Sequence, residues 1–185
     1  MLNRFAGVAV AALLVLPLSA DEAPQPELDA AEALLAELAE PDQERWQRLE
    51  RQIQRIWSRS GSAAADLLLQ RGREALRTGD TRAAIEHLTA LTDHAPDFAE
   101  GWHARATAYF MADQYGPAMA DIQRTLALNP RHYAALSGLG VIFEDLGIHD
   151  RALEAYREAQ AIHPHRPDIT RAVERLELKL DGTPL

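Results

Sequence analysis

The fold is decided by residues 99–132, AEGWHARATAYFMADQYGPAMADIQRTLALNPRH, and by residues 133–166, YAALSGLGVIFEDLGIHDRALEAYREAQAIHPHR. Together with residues 65–98 they align as three windows of 34 residues, each with a proline at position 32. Small residues recur at positions eight and twenty: Gly72, Ala106 and Gly140, then Ala84, Ala118 and Ala152. Bulky residues recur at positions four and twenty-four: Leu68, Trp102 and Leu136, then Leu88, Ile122 and Tyr156. Because two helices approach closely only where the facing side chains are small, the windows predict repeated helical hairpins.

The composition favours an all-α fold and restricts the chemistry. The chain has 34 Ala and 26 Leu but only 13 Val and Ile together, and these β-branched residues are the ones that favour strands. A net charge of -9 argues against non-specific nucleic-acid binding, which depends on neutralising phosphates. The absence of cysteine excludes disulfides, thiolate zinc sites and a cysteine nucleophile.

The windows resemble the tetratricopeptide repeat (TPR), whose pattern is Trp-x2-Leu-Gly-x2-Tyr, then Ala, then Pro. The middle window carries the pattern at Trp102, Ala106, Tyr109, Ala118 and Pro130. The third carries it at Leu136, Leu139, Gly140, Phe143, Ala152, Ala159 and Pro164. The first window keeps Leu68, Gly72, Ala84 and Pro96 but has Ala75 where an aromatic is usual. The resemblance covers 102 of the 185 residues. It implies a right-handed superhelical stack of helix-turn-helix repeats, an α-solenoid.

Further helical segments flank the three windows. Residues 167–180 carry apolar side chains at helical spacing and are expected to form a capping helix over the last repeat. Residues 21–63 are expected to extend the stack with two helices, at roughly 27–39 and 42–58, separated by Pro41. The apolar stripes of these helices are Leu28, Ala31, Leu35 and Leu38, then Trp46, Leu49, Ile53, Ile56 and Trp57. We interpret the tryptophan stripe as packing against the repeats, with an exposed partner-binding face as the alternative.

The charge changes sign abruptly within this N-terminal segment. Residues 21–44 hold nine acids and no base, whereas residues 45–64 hold five Arg and one acid. We interpret the acidic stretch as a solvated face.

Residues 1–20 have the layout of a cleavable signal peptide. Arg4 precedes an apolar run from Phe5 to Leu18, and Leu18-Ser19-Ala20 comes before two acids. A helix of that length is too short to span the roughly 30 Å hydrocarbon core of a bilayer. We therefore expect an exported protein without a stable membrane span after cleavage, periplasmic in a Gram-negative bacterium and otherwise secreted. An uncleaved N-terminal anchor is the alternative.

No catalytic, cofactor or metal site is predicted. Ser137-Gly138-Leu139-Gly140 has neither the spacing nor the preceding strand of a nucleophile elbow or a dinucleotide fingerprint. His163-Pro164-His165 lies at the end of a repeat and supplies two ligands where a metal site needs at least three. We interpret these histidines as polar turn residues, with weak metal binding as the alternative. Glu144 and Asp145 point about 100° apart on a helix and are interpreted as solvated charges.

The TPR resemblance implies a concave groove that receives an extended peptide or a partner helix. Its inward positions correspond here to a candidate partner-binding set: Leu69, Arg73, Leu76, Arg77, His103, Thr107, Phe110, Met111, Val141, Glu144 and Asp145. The carboxylate clamp of some TPR proteins needs Lys, Asn and Arg, and the matching positions hold Leu69, Arg73, Ala104, Ala134 and Gly138. The hypothesis is that apolar anchors of the partner contact Leu76, Phe110, Met111 and Val141. Arg73 and Arg77 would orient one end of the partner and Glu144 and Asp145 the other.

Alternatively, residues 27–58 fold back into the groove and cover part of it. The predicted function is a non-catalytic scaffold or adaptor of the cell envelope that binds another protein. Self-association into a homo-oligomer is the second hypothesis. An enzyme with an unrecognised site is the least favoured one.

Overall fold

The computed structural model describes residues 25–182, and its regular elements there are all α-helices, which confirms the predicted all-α fold. The helices are α1 (Gln25–Leu38), α2 (Trp46–Trp57), α3 (Ala63–Arg77), α4 (Thr81–His94), α5 (Ala99–Met111), α6 (Tyr115–Leu128), α7 (Tyr133–Asp145), α8 (His149–Ile162) and α9 (Pro167–Leu180). The signal peptide expected at residues 1–20 lies outside the described residues. Across residues 25–182, no helix combines the length and apolar character needed to cross a bilayer.

Each 34-residue window forms one helical hairpin: α3–α4, α5–α6 and α7–α8. The turns inside the hairpins need a left-handed residue, which is Gly79 (φ 79°) in the first and Gly147 (φ 74°) in the third. In the second hairpin Asp113 takes this conformation with φ 56°. Side-chain caps help the helices to begin, as where the Asp80 carboxylate accepts a hydrogen bond of 3.0 Å from the backbone N–H of Ala83.

The recurring small residues lie where the helices of each hairpin meet. Ala84, Ala118 and Ala152 are fully buried. A Cβ atom added to Gly140 would lie 2.9 Å from three ring carbons of Tyr156, so only glycine lets α7 and α8 approach this closely. The alternation of small and bulky positions therefore sets the spacing within the hairpins.

Neighbouring repeats pack through a second set of small or apolar residues on the first helix of each repeat. Gly101, Ala104 and Ala108 of α5 are buried between the first and second repeats. The equivalent positions of α3 hold Leu67, Gln70 and Glu74, all exposed. At the other end of the stack, Ile169, Val173 and Leu176 of α9 are buried against α8.

The N-terminal helices do not continue the stack, contrary to our expectation. They form a hairpin, called here the N-terminal hairpin (α1–α2), in which Leu35 and Leu38 pack on Leu49 and Ile53. This core is closed by Tyr133, at the start of α7, rather than by residues of the first repeat. Ion pairs of 2.6 Å from Arg131 to Glu32 and 3.1 Å from Arg166 to Glu50 join the hairpin to the turns that precede α7 and α9.

The second helix of this hairpin also begins later than predicted, at Trp46 instead of residue 42. Asp42 has φ 56°, a left-handed conformation that cannot continue a right-handed helix, and turns occupy residues 41–42 and 44–45. The acidic stretch therefore ends in the turn between the two helices, and α2 carries the arginines.

Candidate functional site

The concave side of the stack is formed by α3, α5 and α7, and α2 lies beside it. Trp57, the last residue of α2, stacks on the ring of His132 with centroids 4.7 Å apart and also contacts Tyr133 at 5.4 Å. The tryptophan stripe thus packs against the repeats, as interpreted from the sequence. Part of the predicted groove is consequently covered by the N-terminal hairpin.

A pocket of about 390 Å³ remains between Trp57 and the three inner helices. It brings together four of the predicted groove residues, Arg73, Leu76, His103 and Thr107. The other residues lining it are Gln54, Trp57, Ser58, Glu100, Ala104, His132, Tyr133 and Ala134. We call this space the Trp57 pocket.

Several of these residues were not predicted as site residues. Gln54, Trp57 and Ser58 belong to α2 and its end, and a repeat pattern carries no information about a segment outside the repeats. The strong amphipathicity of residues 46–57, with a tryptophan at each end, was the available signal.

A buried polar network forms one wall of the Trp57 pocket. The carboxylate of Glu100 is paired with the Arg73 guanidinium and lies 3.0 Å from His132 Nε2. His132 Nδ1 accepts a hydrogen bond of 3.1 Å from the backbone N–H of Ala135, so Nε2 carries the hydrogen that it donates to Glu100. Burial alone would raise the pKa of Glu100, but the His132 hydrogen bond and the nearby positive groups hold that pKa below its ordinary value.

His103 completes the network. Its ring centroid is 4.4 Å from that of His132, and its Nδ1 is buried with no hydrogen-bond partner among the described residues. Burial, reinforced by the neighbouring His132, lowers the pKa of His103 to about 3. At neutral pH the His103 imidazole is therefore neutral, and the Glu100 carboxylate of this wall is paired with Arg73.

The remaining predicted residues have varied surroundings. Leu69 is buried in the core of the first repeat. Phe110 is half-buried against Tyr115, with ring centroids 5.9 Å apart, and Val141 is half-buried against the C-terminal core. Met111 is 47% exposed and belongs to none of the core clusters of the described residues. The apolar part of the predicted groove is thus open chiefly at Met111.

The charges predicted to orient a partner are largely engaged within the chain. Glu144 accepts hydrogen bonds from Arg175 of α9 and, at 3.0 Å, from the Tyr156 hydroxyl. Arg175 is the main reason that the pKa of Glu144 lies below its ordinary value. Arg77 is paired with Glu74, and Asp145 accepts a 3.3 Å hydrogen bond from the Tyr115 hydroxyl. Arg73 faces the Trp57 pocket and is the charged member of the set best placed to meet a ligand there.

The histidines at the end of the third repeat are structural. His163, expected to be a polar turn residue, is fully buried between Trp46 and Tyr133, whose rings lie 5.6 and 4.9 Å away. His165 Nε2 lies 2.9 Å from the backbone carbonyl of Glu40. In the described part of the chain, no three His, Asp or Glu side chains are grouped so that they could hold a metal ion.

Three stacked helical hairpins with an open concave face define this chain as a helical repeat protein. The sequence model of the tetratricopeptide repeat family matches residues 69–121 and 103–167. A TPR repeat-containing protein of Rhizobium etli is 32% identical over 164 residues, which cover 89% of this chain and 79% of that protein. The chain therefore belongs to the tetratricopeptide repeat family.

A further relative and two solved structures are similar to part of this chain. The protein SGT1 homolog of Bos taurus is 31% identical over 121 residues, covering 65% of this chain and 36% of that protein. The crystal structure of MamA superposes with a TM-score of 0.60 at 25% identity, covering 76% of this chain and 84% of that one. The first TPR of Spaghetti, bound to the HSP90 peptide SRMEEVD, superposes with a TM-score of 0.62 at 24% identity, covering 65% of this chain and 95% of that one.

Proposed function

We propose that this protein is a non-catalytic protein-interaction module that binds a segment of a partner protein on its concave side. The observation that carries the proposal is the Trp57 pocket. It is open, it is walled by an aromatic ring and by Leu76, Ala104 and Thr107, and Arg73 lies at its side. An apolar anchor flanked by one oriented charge is a common way for a repeat surface to hold a peptide.

The relatives support a peptide or protein as the ligand, because the Spaghetti structure holds a peptide of HSP90. The residues of this chain differ from a carboxylate clamp, since Leu69, Ala104 and Ala134 stand where such a clamp has polar side chains. We therefore propose a ligand held by the Trp57 pocket and Met111 rather than by a terminal carboxylate.

A capture experiment tests the proposal on the chain from residue 21 onward. We expect Thr107→Glu with Met111→Asp, both at exposed positions, to abolish retention of a partner from native envelope extracts. Leu178→Asp is the matched control, because Leu178 is as exposed as Met111, at 47%, but lies on α9. The retained protein is then purified and its affinity measured. Equal affinity for the groove variant and the control would contradict the proposal.

We also propose export, on the basis of the signal-like residues 1–20. N-terminal sequencing of the protein recovered from the periplasm or medium is expected to begin near residue 21. Recovery of the uncleaved chain from the cytoplasm would contradict this proposal.

Self-association is a second candidate, favoured by one observation. Leu67 is 47% exposed at the end of the stack formed by α3, where no further repeat covers it. Light scattering at two protein concentrations tests this, and a mass that rises with concentration and returns to the monomer value in Leu67→Glu would support it.

A further inference from the structure

The outer face of α2 carries a row of arginines in a chain that is otherwise acidic. Arg51, Arg55 and Arg59 are spaced four residues apart, which places them on one face of the helix and of the turn that follows it. Within α2, Arg51 and Arg55 form one like-charged pair at this spacing, which costs a helix about 0.2–0.5 kcal/mol.

The row meets a fourth arginine from the repeats. Arg73 of α3 donates a hydrogen bond of 3.0 Å to the Ser58 hydroxyl, which brings its guanidinium to the end of α2. A cleft of about 670 Å³ results, lined by Arg51, Gln54, Arg55, Ser58, Arg59 and Arg73. We call it the arginine cleft.

Two members of the arginine cleft, Arg51 and Arg55, carry a positive charge that no acid of residues 25–182 neutralises. Most arginines described for this chain have a carboxylate within 4.0 Å, for example Arg105 with Asp121, Arg131 with Glu32 and Arg157 with Glu177. Arg51 and Arg55 pair with no carboxylate in residues 25–182, and the Arg55 side chain donates only to the backbone carbonyl of Arg51 at 3.3 Å. Glu100, the acid that pairs with Arg73, is also engaged by His132, and Asp66 accepts its hydrogen bonds from Ser60.

The arginine cleft is continuous with the Trp57 pocket. Gln54, Ser58 and Arg73 line both spaces. A peptide chain that places an apolar side chain beside Trp57 would therefore extend its neighbouring residues between Arg51, Arg55 and Arg73. Guanidinium groups form paired, charge-assisted hydrogen bonds with carboxylates, which makes Asp and Glu the complementary side chains.

We propose that the arginine cleft binds an acidic segment of the partner protein, adjacent to an apolar anchor that enters the Trp57 pocket. This inference rests on the proposed function and names the chemistry of its ligand. Because the net charge of -9 repels long polyanions outside the cleft, a short acidic peptide fits this surface better than a nucleic acid.

Labelled nonapeptides test the proposal by fluorescence anisotropy: Glu-Glu-Leu, Gln-Gln-Leu and Lys-Lys-Leu, each repeated three times. The acidic peptide is expected to bind at least about tenfold more tightly than the other two at low salt, with the advantage falling at about 0.3 M salt. Arg51→Glu with Arg55→Glu is expected to weaken that binding by about tenfold or more. The affinity for the Gln-Gln-Leu peptide should change much less.

Arg71→Glu with Arg171→Glu is the matched control, because these two exposed arginines also lack a carboxylate partner within the described helices and the change in net charge is the same. An equal loss in both double variants, or equal binding of the acidic and neutral peptides, would overturn the proposal. So would a labelled nonathymidylate that binds as tightly as the acidic peptide. If the Arg51/Arg55 variant still retains the partner that the Thr107/Met111 variant loses, the acidic ligand is wrong while the interaction module stands.

Discussion

The first and last repeats of the stack are protected from water in different ways. At the C-terminal end an additional helix, α9, covers the last repeat with Ile169, Val173 and Leu176. At the N-terminal end none of the described helices covers the outer face of α3, which presents Gln70 and Glu74 where later repeats bury small residues. Both arrangements reduce the apolar surface that the stack leaves in water at its termini, although Leu67 of α3 stays 47% exposed.

This difference explains why the N-terminal hairpin is not a cap. Since α3 already has a polar outer face, α1 and α2 are not needed there and pack instead against Tyr133 and the turn at His163. The N-terminal hairpin, which the sequence predicted to extend the stack, therefore forms one side of the proposed binding surface. Four experiments test whether the N-terminal hairpin and the C-terminal cap differ in this way.

The largest effect is expected from the C-terminal cap. Leu176→Ala removes a fully buried side chain of α9 and should lower the free energy of unfolding of the stack by about 3 kcal/mol. Leu67→Ala, the same substitution at the N-terminal end, should cost less than about 0.5 kcal/mol because that side chain is already exposed. Urea denaturation of both variants measures the difference, and equal losses would show that the two ends are alike.

The next effect concerns the attachment of the N-terminal hairpin. Trp57→Ala should weaken its docking by about 2 kcal/mol, since the ring loses its stacking on His132 and its contact with Tyr133. Hydrogen exchange should then rise in α1 and α2 while α3–α9 stay protected, and Trp57→Phe should restore much of the protection. Loss of protection throughout the stack would mean that the hairpin acts as a cap after all.

Acidic pH should loosen the same attachment. Burial lowers the pKa of His163 to about 4, whereas an exposed histidine titrates near 6.5, so below about pH 6.5 the unfolded chain binds a proton that the folded chain does not. Through His163 alone, stability should therefore fall as the pH decreases from about 6.5 to about 4, by roughly 2 kcal/mol at pH 5. His103, whose pKa is lowered to about 3, adds to the fall in the same direction. His163→Leu should flatten this part of the profile. An unchanged slope in the variant would assign the pH dependence to other groups.

The smallest effect is expected at the rim of the N-terminal hairpin. Glu32→Gln breaks the partly exposed ion pair with Arg131 and should cost about 0.5 kcal/mol, a difference that about 0.5 M salt removes. Asp29→Asn makes the same change of charge at another exposed position of α1 and is the control. A cost above about 2 kcal/mol would mean that Arg131 fixes the hairpin in place.

The repeats could be predicted from the sequence because their constraints are local and recur. Small residues such as Gly140 and left-handed positions such as Gly79 show the same pattern every 34 residues. Docking of α2 could not be predicted, because it depends on Trp57 meeting His132 across 75 positions of the chain with no repeated pattern to mark it. The ion pair between Glu144 and Arg175 could not be predicted either, because Arg175 belongs to α9 and α9 lies outside the repeated pattern.

The short connection between α2 and α3 keeps the N-terminal hairpin close to the repeats even when it is not docked on them. Only residues 58–62 separate the two helices, and Asp66 holds this turn through hydrogen bonds from the backbone and hydroxyl of Ser60 at 2.9 and 2.6 Å. If the N-terminal hairpin dissociates from the repeats, this short connection keeps it near its docking site. Its effective concentration there is on the order of millimolar. A ligand that displaces Trp57 must compete with this internal occupant. A ligand that instead binds against the docked Trp57 ring needs no rearrangement of the N-terminal hairpin.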